Sequence, residues 1–185
     1  MIVRIKFLGA AQSVTGSKYL LEIDNYTLMI DCGMFQGPKE LRLRNWSKLP
    51  IEEETIDAVI LTHAHIDHSG YLPRLVKNGF NGPIYCTEAT EGLLKILLLD
   101  AAKLQEEEAE FARKKGYSKH NTPEPLFNTE DAEKVLKMLQ TASYNSTRKL
   151  TQVVSFNFKN AGHILGSSII ELFIEGDTQS KKIVF

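Results

Sequence analysis

Three of the chain's five histidines fall in one short stretch, Thr62-His63-Ala64-His65-Ile66-Asp67-His68. Imidazole nitrogen and carboxylate oxygen are donors that zinc takes and that neighbouring ions such as manganese or iron also accept. His63 and His65 stand two apart at the end of an apolar run that reads as a strand, so their rings project to one side. Asp67 and His68 follow in what reads as a loop before a helix, and the four side chains together offer donors for two ions. A histidine packed for structure alone is common, but three crowded directly after a buried strand are not. His163 lies between glycines in Asn160-Ala161-Gly162-His163-Ile164-Leu165-Gly166-Ser167-Ser168. By itself such a turn histidine reads as solvent-exposed; beside a metal cluster it reads as the ligand that completes it. The chemistry indicated is metal-assisted hydrolysis.

The elements that must position these groups can be read outward from the cluster. Ala58-Val59-Ile60-Leu61 reads as the buried central strand that delivers it. Upstream, residues 2–8 read as a first strand stopping at Gly9, followed by a loop of small and hydroxyl residues from Gly9 to Ser17. Residues 19–23 and 27–30 flank the turn-forming pair Asp24-Asn25 and predict a hairpin ending at Asp31-Cys32-Gly33. Residues 35–54 are polar and locally basic, with Arg42, Arg44, Trp46 and Lys48. Downstream, a short helix over 71–78 closed by Gly79 and a strand over 83–87 begin a β-α-β rhythm. A long helix follows over 88–115, its basic end at Arg113-Lys114-Lys115 suited to the helix dipole. Asn128 caps a second amphipathic helix running to about Gln140. Strands over 151–158, 168–174 and 182–185 finish the chain, the last two joined by a Gly176-Asp177 turn. Strands mixed with crossover helices imply a layered α/β architecture with an at least partly antiparallel sheet.

Composition bounds the rest. The 185 residues make one domain or a piece of a larger one, and 43% hydrophobic with 24% charged residues excludes a disordered, collagen-like or disulfide-scaffold chain. With 22 basic and 23 acidic residues the net charge is −1, so no global positive field draws the chain to a polyanion, and any such site is local. Cys32 and Cys86 allow at most one disulfide; with no secretory signal at the start, reduced thiols and a cytoplasmic location are the expectation. No apolar run approaches the roughly 20 residues of a membrane-spanning helix.

The spacing His63-x-His65-x-Asp67-His68 resembles the signature of the metallo-β-lactamase fold. The loop Gly9-Ala10-Ala11-Gln12-Ser13-Val14-Thr15-Gly16-Ser17, the Asp31-Cys32-Gly33 turn and Ala161-Gly162-His163-Ile164-Leu165-Gly166-Ser167 resemble the β-CASP branch of RNA-processing nucleases. That resemblance covers essentially the whole chain. It implies an α/β fold, the N-terminal portion of an αββα sandwich whose mixed sheet has crossover helices, with residues 1–185 as the N-terminal part of the domain. It implies His63, His65 and His163 as ligands of one zinc and Asp67 and His68 as ligands of a second. Asp31 then hydrogen-bonds a ligand histidine, fixing its tautomer and basicity. The implied reaction is two-metal hydrolysis of an RNA phosphodiester by a bridging hydroxide, with Asp67 orienting the water and managing its proton. Ser13, Thr15 and Ser17 are weaker candidates for shaping the phosphate approach, with turn-making as their equal alternative. Cys32 receives no role beyond that of a small buried residue.

The resemblance also implies what is missing. Complete members carry a further metal-bridging aspartate, a later histidine and an inserted β-CASP domain, all beyond Phe185. The chain stops in an apolar strand, and the expectation is that the domain continues, that about one zinc binds here, and that this polypeptide alone is a poor nuclease. Asp177 sits at a hairpin turn, too early to be the bridging residue, and His120 reads as an exposed loop histidine. The expected partner is RNA, with a homodimer as one state of association and no membrane. Two alternatives share the motif: a glyoxalase- or lactamase-type hydrolase acting on a carbonyl, and a noncatalytic RNA-binding scaffold.

Overall fold

Ten strands and five helices make up a computed structural model that describes residues 2–115, 123–176 and 179–185. In chain order they are β1 (Val3–Phe7), β2 (Tyr19–Ile23), β3 (Tyr26–Ile30), α1 (Lys39–Leu43), β4 (Ala58–Ile60), α2 (Ile66–Ser69), α3 (Leu72–Lys77) and β5 (Ile84–Cys86). These are followed by α4 (Glu88–Lys115), α5 (Thr129–Met138), β6 (Leu139–Thr141), β7 (Arg148–Lys149), β8 (Val154–Asn160), β9 (Ser168–Ile174) and β10 (Lys181–Val184).

Six strands form a mixed sheet in the order β1-β2-β3-β4-β5-β6, and four form a second in the order β10-β9-β8-β7. The first sheet is antiparallel from β1 to β3 and parallel from β3 to β6. Its parallel part needs a crossover at each step, and α3, α4 and α5 lie in those crossovers. The strands at the middle are buried on both faces, which is why they read as continuous apolar runs. Alternate residues divide between two cores. Leu20, Met29, Val59 and Ile84 pack toward the helices with Leu72, Leu94, Leu98 and Val135. Leu21, Leu28, Ile30 and Ile60 pack toward the second sheet with Phe156, Phe158, Ile170 and Leu172. The layers are therefore helix, sheet, sheet.

The expected hairpin at Asp24-Asn25, the central strand and the long helix are all present. Three expectations need correction. The helix from Thr129 ends at Met138, because Leu139, Gln140 and Thr141 pair in parallel with Ile84, Tyr85 and Cys86. The strand expected from Thr151 begins at Val154, since the amides of Leu150 and Thr151 both bond the Val154 carbonyl and turn the chain first. Asp67 and His68 lie not in a loop but in α2, one helical turn whose His68 and Ser69 amides bond the His65 carbonyl. The polar, locally basic stretch from Phe35 onward holds α1 and the 3₁₀ turns Arg44–Trp46 and Glu53–Thr55. His120 and Asp177 lie outside the described residues.

Candidate metal centre

The parallel strands β3 and β4 run side by side, so their carboxyl ends deliver Asp31 and the Thr62–His68 segment to the same edge of the sheet. Loops at that edge are where open α/β sheets place their ligands. The Asp31 amide bonds the Ile60 carbonyl, 2.9 Å, continuing the ladder past the strand ends. Asp31 itself has φ +55°, a conformation that aspartate tolerates better than most residues. Gly33 is packed so closely on α2 that an added Cβ would lie 1.6 Å from the Asp67 carbonyl oxygen. Three further backbone bonds fasten the segments together, from Ser17 to Asp67, Cys32 to His68 and Met34 to Ile66.

The loop between β8 and β9 brings His163 in from the second sheet. The Ser168 amide and hydroxyl both donate to the Thr62 carbonyl, at 2.8 and 3.0 Å. On the far side the hydroxyls of Thr87 and Thr90 donate to the Gly166 carbonyl at 2.7 and 3.0 Å. Tyr144 donates to the Ser167 carbonyl at 2.8 Å. Although His163 is exposed, the backbone that carries it is fixed at both ends.

One nitrogen each of His63, His65 and His163 lies within 4.8 Å of the others. His65 Nδ1 is 3.1 Å from His63 Nε2 and 3.3 Å from His163 Nε2. Three imidazole lone pairs converging this closely repel unless a proton or a cation sits among them, and the donor set suits a small divalent cation. The tautomers follow from the neighbours. Asp31, 1% exposed, accepts from the Thr62 amide at 2.8 Å and from Ser17 Oγ at 3.2 Å. It also receives His68 Nδ1 at 2.7 Å, and its two oxygens lie 2.9 and 3.0 Å from Thr62 Oγ1. The Thr62 hydroxyl has one proton to give. Given to Asp31, it leaves Oγ1 to accept from His63 Nδ1, 2.9 Å away. Nε2 of His63, and likewise Nε2 of His68, is then the nitrogen with a free lone pair.

For His63 electrostatics point the same way. Burial, reinforced by His68 and opposed by Asp31, lowers the His63 pKa to about 4, so it is neutral and able to ligate near pH 7. For His68 burial pulls the pKa down, but the hydrogen bond and charge of Asp31 together with Asp67 outweigh it and the pKa is raised. Asp67 Oδ2 lies 3.8 Å from His68 Nε2, beside the trio rather than within it.

The weaker candidates are placed as follows. Ser17 is buried with its hydroxyl on Asp31. Thr15 Oγ1 accepts from the Gln36 amide at 3.0 Å, and Ser13 Oγ reaches the Thr15 carbonyl at 3.4 Å. Cys32 is buried as a free thiol. The site residues missed in the sequence are Thr62, whose adjacency to the cluster was the available signal, and Thr87 and Thr90, for which there was none.

The pattern of the metallo-beta-lactamase superfamily matches residues 14–147. Ribonuclease TTHA0252 of Thermus thermophilus is 39% identical over 176 residues, 95% of this chain and 36% of that protein. Transcription termination factor FttA of Methanocaldococcus jannaschii is 31% identical over 172 residues, covering 93% of this chain and 25% of its own length. The chain thus spans about a quarter to a third of these curated relatives. Among solved structures, BJP-1, a subclass B3 metallo-beta-lactamase of Bradyrhizobium japonicum, superposes with a TM-score of 0.54 at 16% identity. That match covers 100% of this chain and 59% of the other, and it concerns the fold alone. That fold implies a divalent metal, and the chain belongs to the metallo-beta-lactamase superfamily.

Proposed function

We propose that this chain is the metal-holding N-terminal part of a zinc-dependent RNA phosphodiester hydrolase of the β-CASP branch. The observation that carries the reading is the convergence of His63, His65 and His163, with Asp31 setting the tautomers beside them. The RNA part of it is supported by relatives named as a ribonuclease and a transcription termination factor. Zinc bound there supplies positive charge that polarises a phosphoryl oxygen and lowers the pKa of water.

The chain's own residues do the rest. His63, His65 and His163 hold one ion, and Asp67 and His68 offer donors toward a second. Asp67 orients the attacking water and takes its proton. Asp31, directly through His68 and through Thr62 to His63, keeps both Nε2 lone pairs turned toward the site. The exposure of His163 leaves the cluster open to a polymer. A reduced, cytoplasmic setting accords with two buried free thiols, and among the described residues no helix is long and apolar enough to cross a membrane. A homodimer is part of the same expectation, read by the mass of the chain in solution.

The test presents the zinc-loaded chain with labelled single-stranded RNA, a β-lactam and a thioester. Metal-dependent RNA binding, lost in His63→Ala, is expected, with little or no cleavage by this polypeptide alone. Turnover of the lactam or the thioester without affinity for RNA overturns the reading.

A further inference from the structure

Beyond the histidines, the same edge of the sheet continues into a groove. Asp31, Thr62, Thr87 and Ala142 follow the ends of β3, β4, β5 and β6, four strands in parallel register. Between the last two lies an open cavity of about 510 Å³, lined by Thr87, Glu88, Ala89, Thr141, Ser143 and Tyr144 among others. Its size falls in the range of ligand pockets. It adjoins the loop that carries His163, because Thr87 and Tyr144 are also the groups that hold Gly166 and Ser167.

The lining has a definite chemistry. Two hydroxyl side chains, Thr141 and Ser143, offer neutral donors and acceptors, while the Thr87 hydroxyl is committed to the Gly166 carbonyl. Tyr144 offers an aromatic ring, Ala89 a small apolar surface, and Glu88 a single carboxylate able to accept from hydroxyl or amino groups. No lysine or arginine is among the lining residues. This set suits a sugar and base, and suits a phosphate poorly. A polymer held at the histidines and running along this edge of the sheet would cross the groove.

We propose that the β5–β6 groove receives one nucleoside of the RNA strand, the ribose and base flanking the scissile phosphate. This rests on the RNA reading above and adds to it the place where the strand is held.

Two plugs test it: Ser143→Trp at an exposed side chain and Ala89→Trp at a partly exposed one. The control is Asn25→Trp in the exposed β2–β3 turn, at the opposite end of the parallel strands. Binding of a short fluorescein-labelled single-stranded RNA to the zinc-loaded chain is followed by anisotropy, with zinc content measured for each protein. The expected result is binding weakened roughly tenfold by each plug, the scale of one lost stacked base, with Asn25→Trp unchanged and zinc content constant. A strand carrying 4-thiouridine should also crosslink within residues 141–144. Should Ala89→Trp disturb the Thr87 latch and lose zinc, Ser143→Trp decides, since Ser143 makes no bond to the His163 loop. RNA binding that survives the plug, or that falls equally in the control, overturns the groove while leaving the RNA reading intact. A wild-type chain that holds zinc and binds no RNA overturns both.

Discussion

Gly166→Ala isolates the role of the loop that carries His163. Gly166 has φ +85°, and a Cβ there would stand 2.4 Å from the Thr90 amide nitrogen and 2.8 Å from Thr87 Oγ1. The conformation alone costs an alanine about 1–3 kcal/mol. The amide cannot retreat without opening the first turn of α4, so the loop must move instead. Moving it weakens two hydroxyl bonds to the Gly166 carbonyl, at 2.7 and 3.0 Å, each worth about 0.5–1.5 kcal/mol. The sum is about 2–6 kcal/mol, part of which the metal must restore when it draws His163 back into place. At about 1.4 kcal/mol per factor of ten, zinc affinity should fall by at least roughly tenfold. The ceiling is the loss caused by His163→Ala. Zinc affinity is read by competition against a chromogenic chelator for wild type, each single variant and the double variant. Because the glycine acts through the histidine, Gly166→Ala should add little in a His163→Ala background. Wild-type zinc affinity in Gly166→Ala, or full additivity in the double variant, would refute the reasoning.

Asp31→Asn replaces one acceptor oxygen by an amide donor facing Ser17 Oγ or His68 Nδ1. His68 should then shift toward its other tautomer, visible in imidazole ¹⁵N spectra, with metal affinity down about 10- to 100-fold; an unchanged spectrum contradicts the tautomer assignment. Gly33→Ala drives a Cβ to 1.6 Å from the Asp67 carbonyl oxygen and should cost more than about 3 kcal/mol. Urea denaturation with a wild-type midpoint would show that the close approach does not exist. The metal-free chain should lose stability as pH falls from about 6.5 to about 4, because His63 binds its proton in the unfolded chain before it does so in the folded one. His68 works oppositely, its contribution being present below the unfolded pKa and lost as pH rises through its raised folded pKa. Urea midpoints of wild type and His63→Ala across that window separate the two, and a slope unchanged by His63→Ala counts against the burial of His63.

The candidate metal-binding residues were legible because they are local. Four of five lie in six consecutive positions after a strand whose apolar run is unmistakable, and His163 is marked by the glycines around it. Asp31 was legible as a strand-end aspartate, and the structure sets one of its oxygens 2.7 Å from His68 Nδ1. Partners supplied by tertiary approach were not legible. Thr62 is one hydroxyl among many until the fold sets it between Asp31 and His63. Nothing in the sequence marks Lys18 as buried, yet it is 1% exposed. It donates to the Gly33 carbonyl between the rings of Phe35 and Tyr71, and burial lowers its pKa to about 8. The strands β6 and β7, three and two residues long, are too short for any periodicity. They exist because neighbouring strands offer them hydrogen bonds.

The central claim is that His63, His65 and His163 together hold a divalent ion. The most direct measurement is the metal-to-protein ratio by elemental mass spectrometry after loose ions are removed, for wild type and for His163→Ala. About one zinc per wild-type chain, falling close to zero in the variant, is the predicted result. A wild-type chain that retains no metal, or a ratio unchanged by His163→Ala, would contradict it.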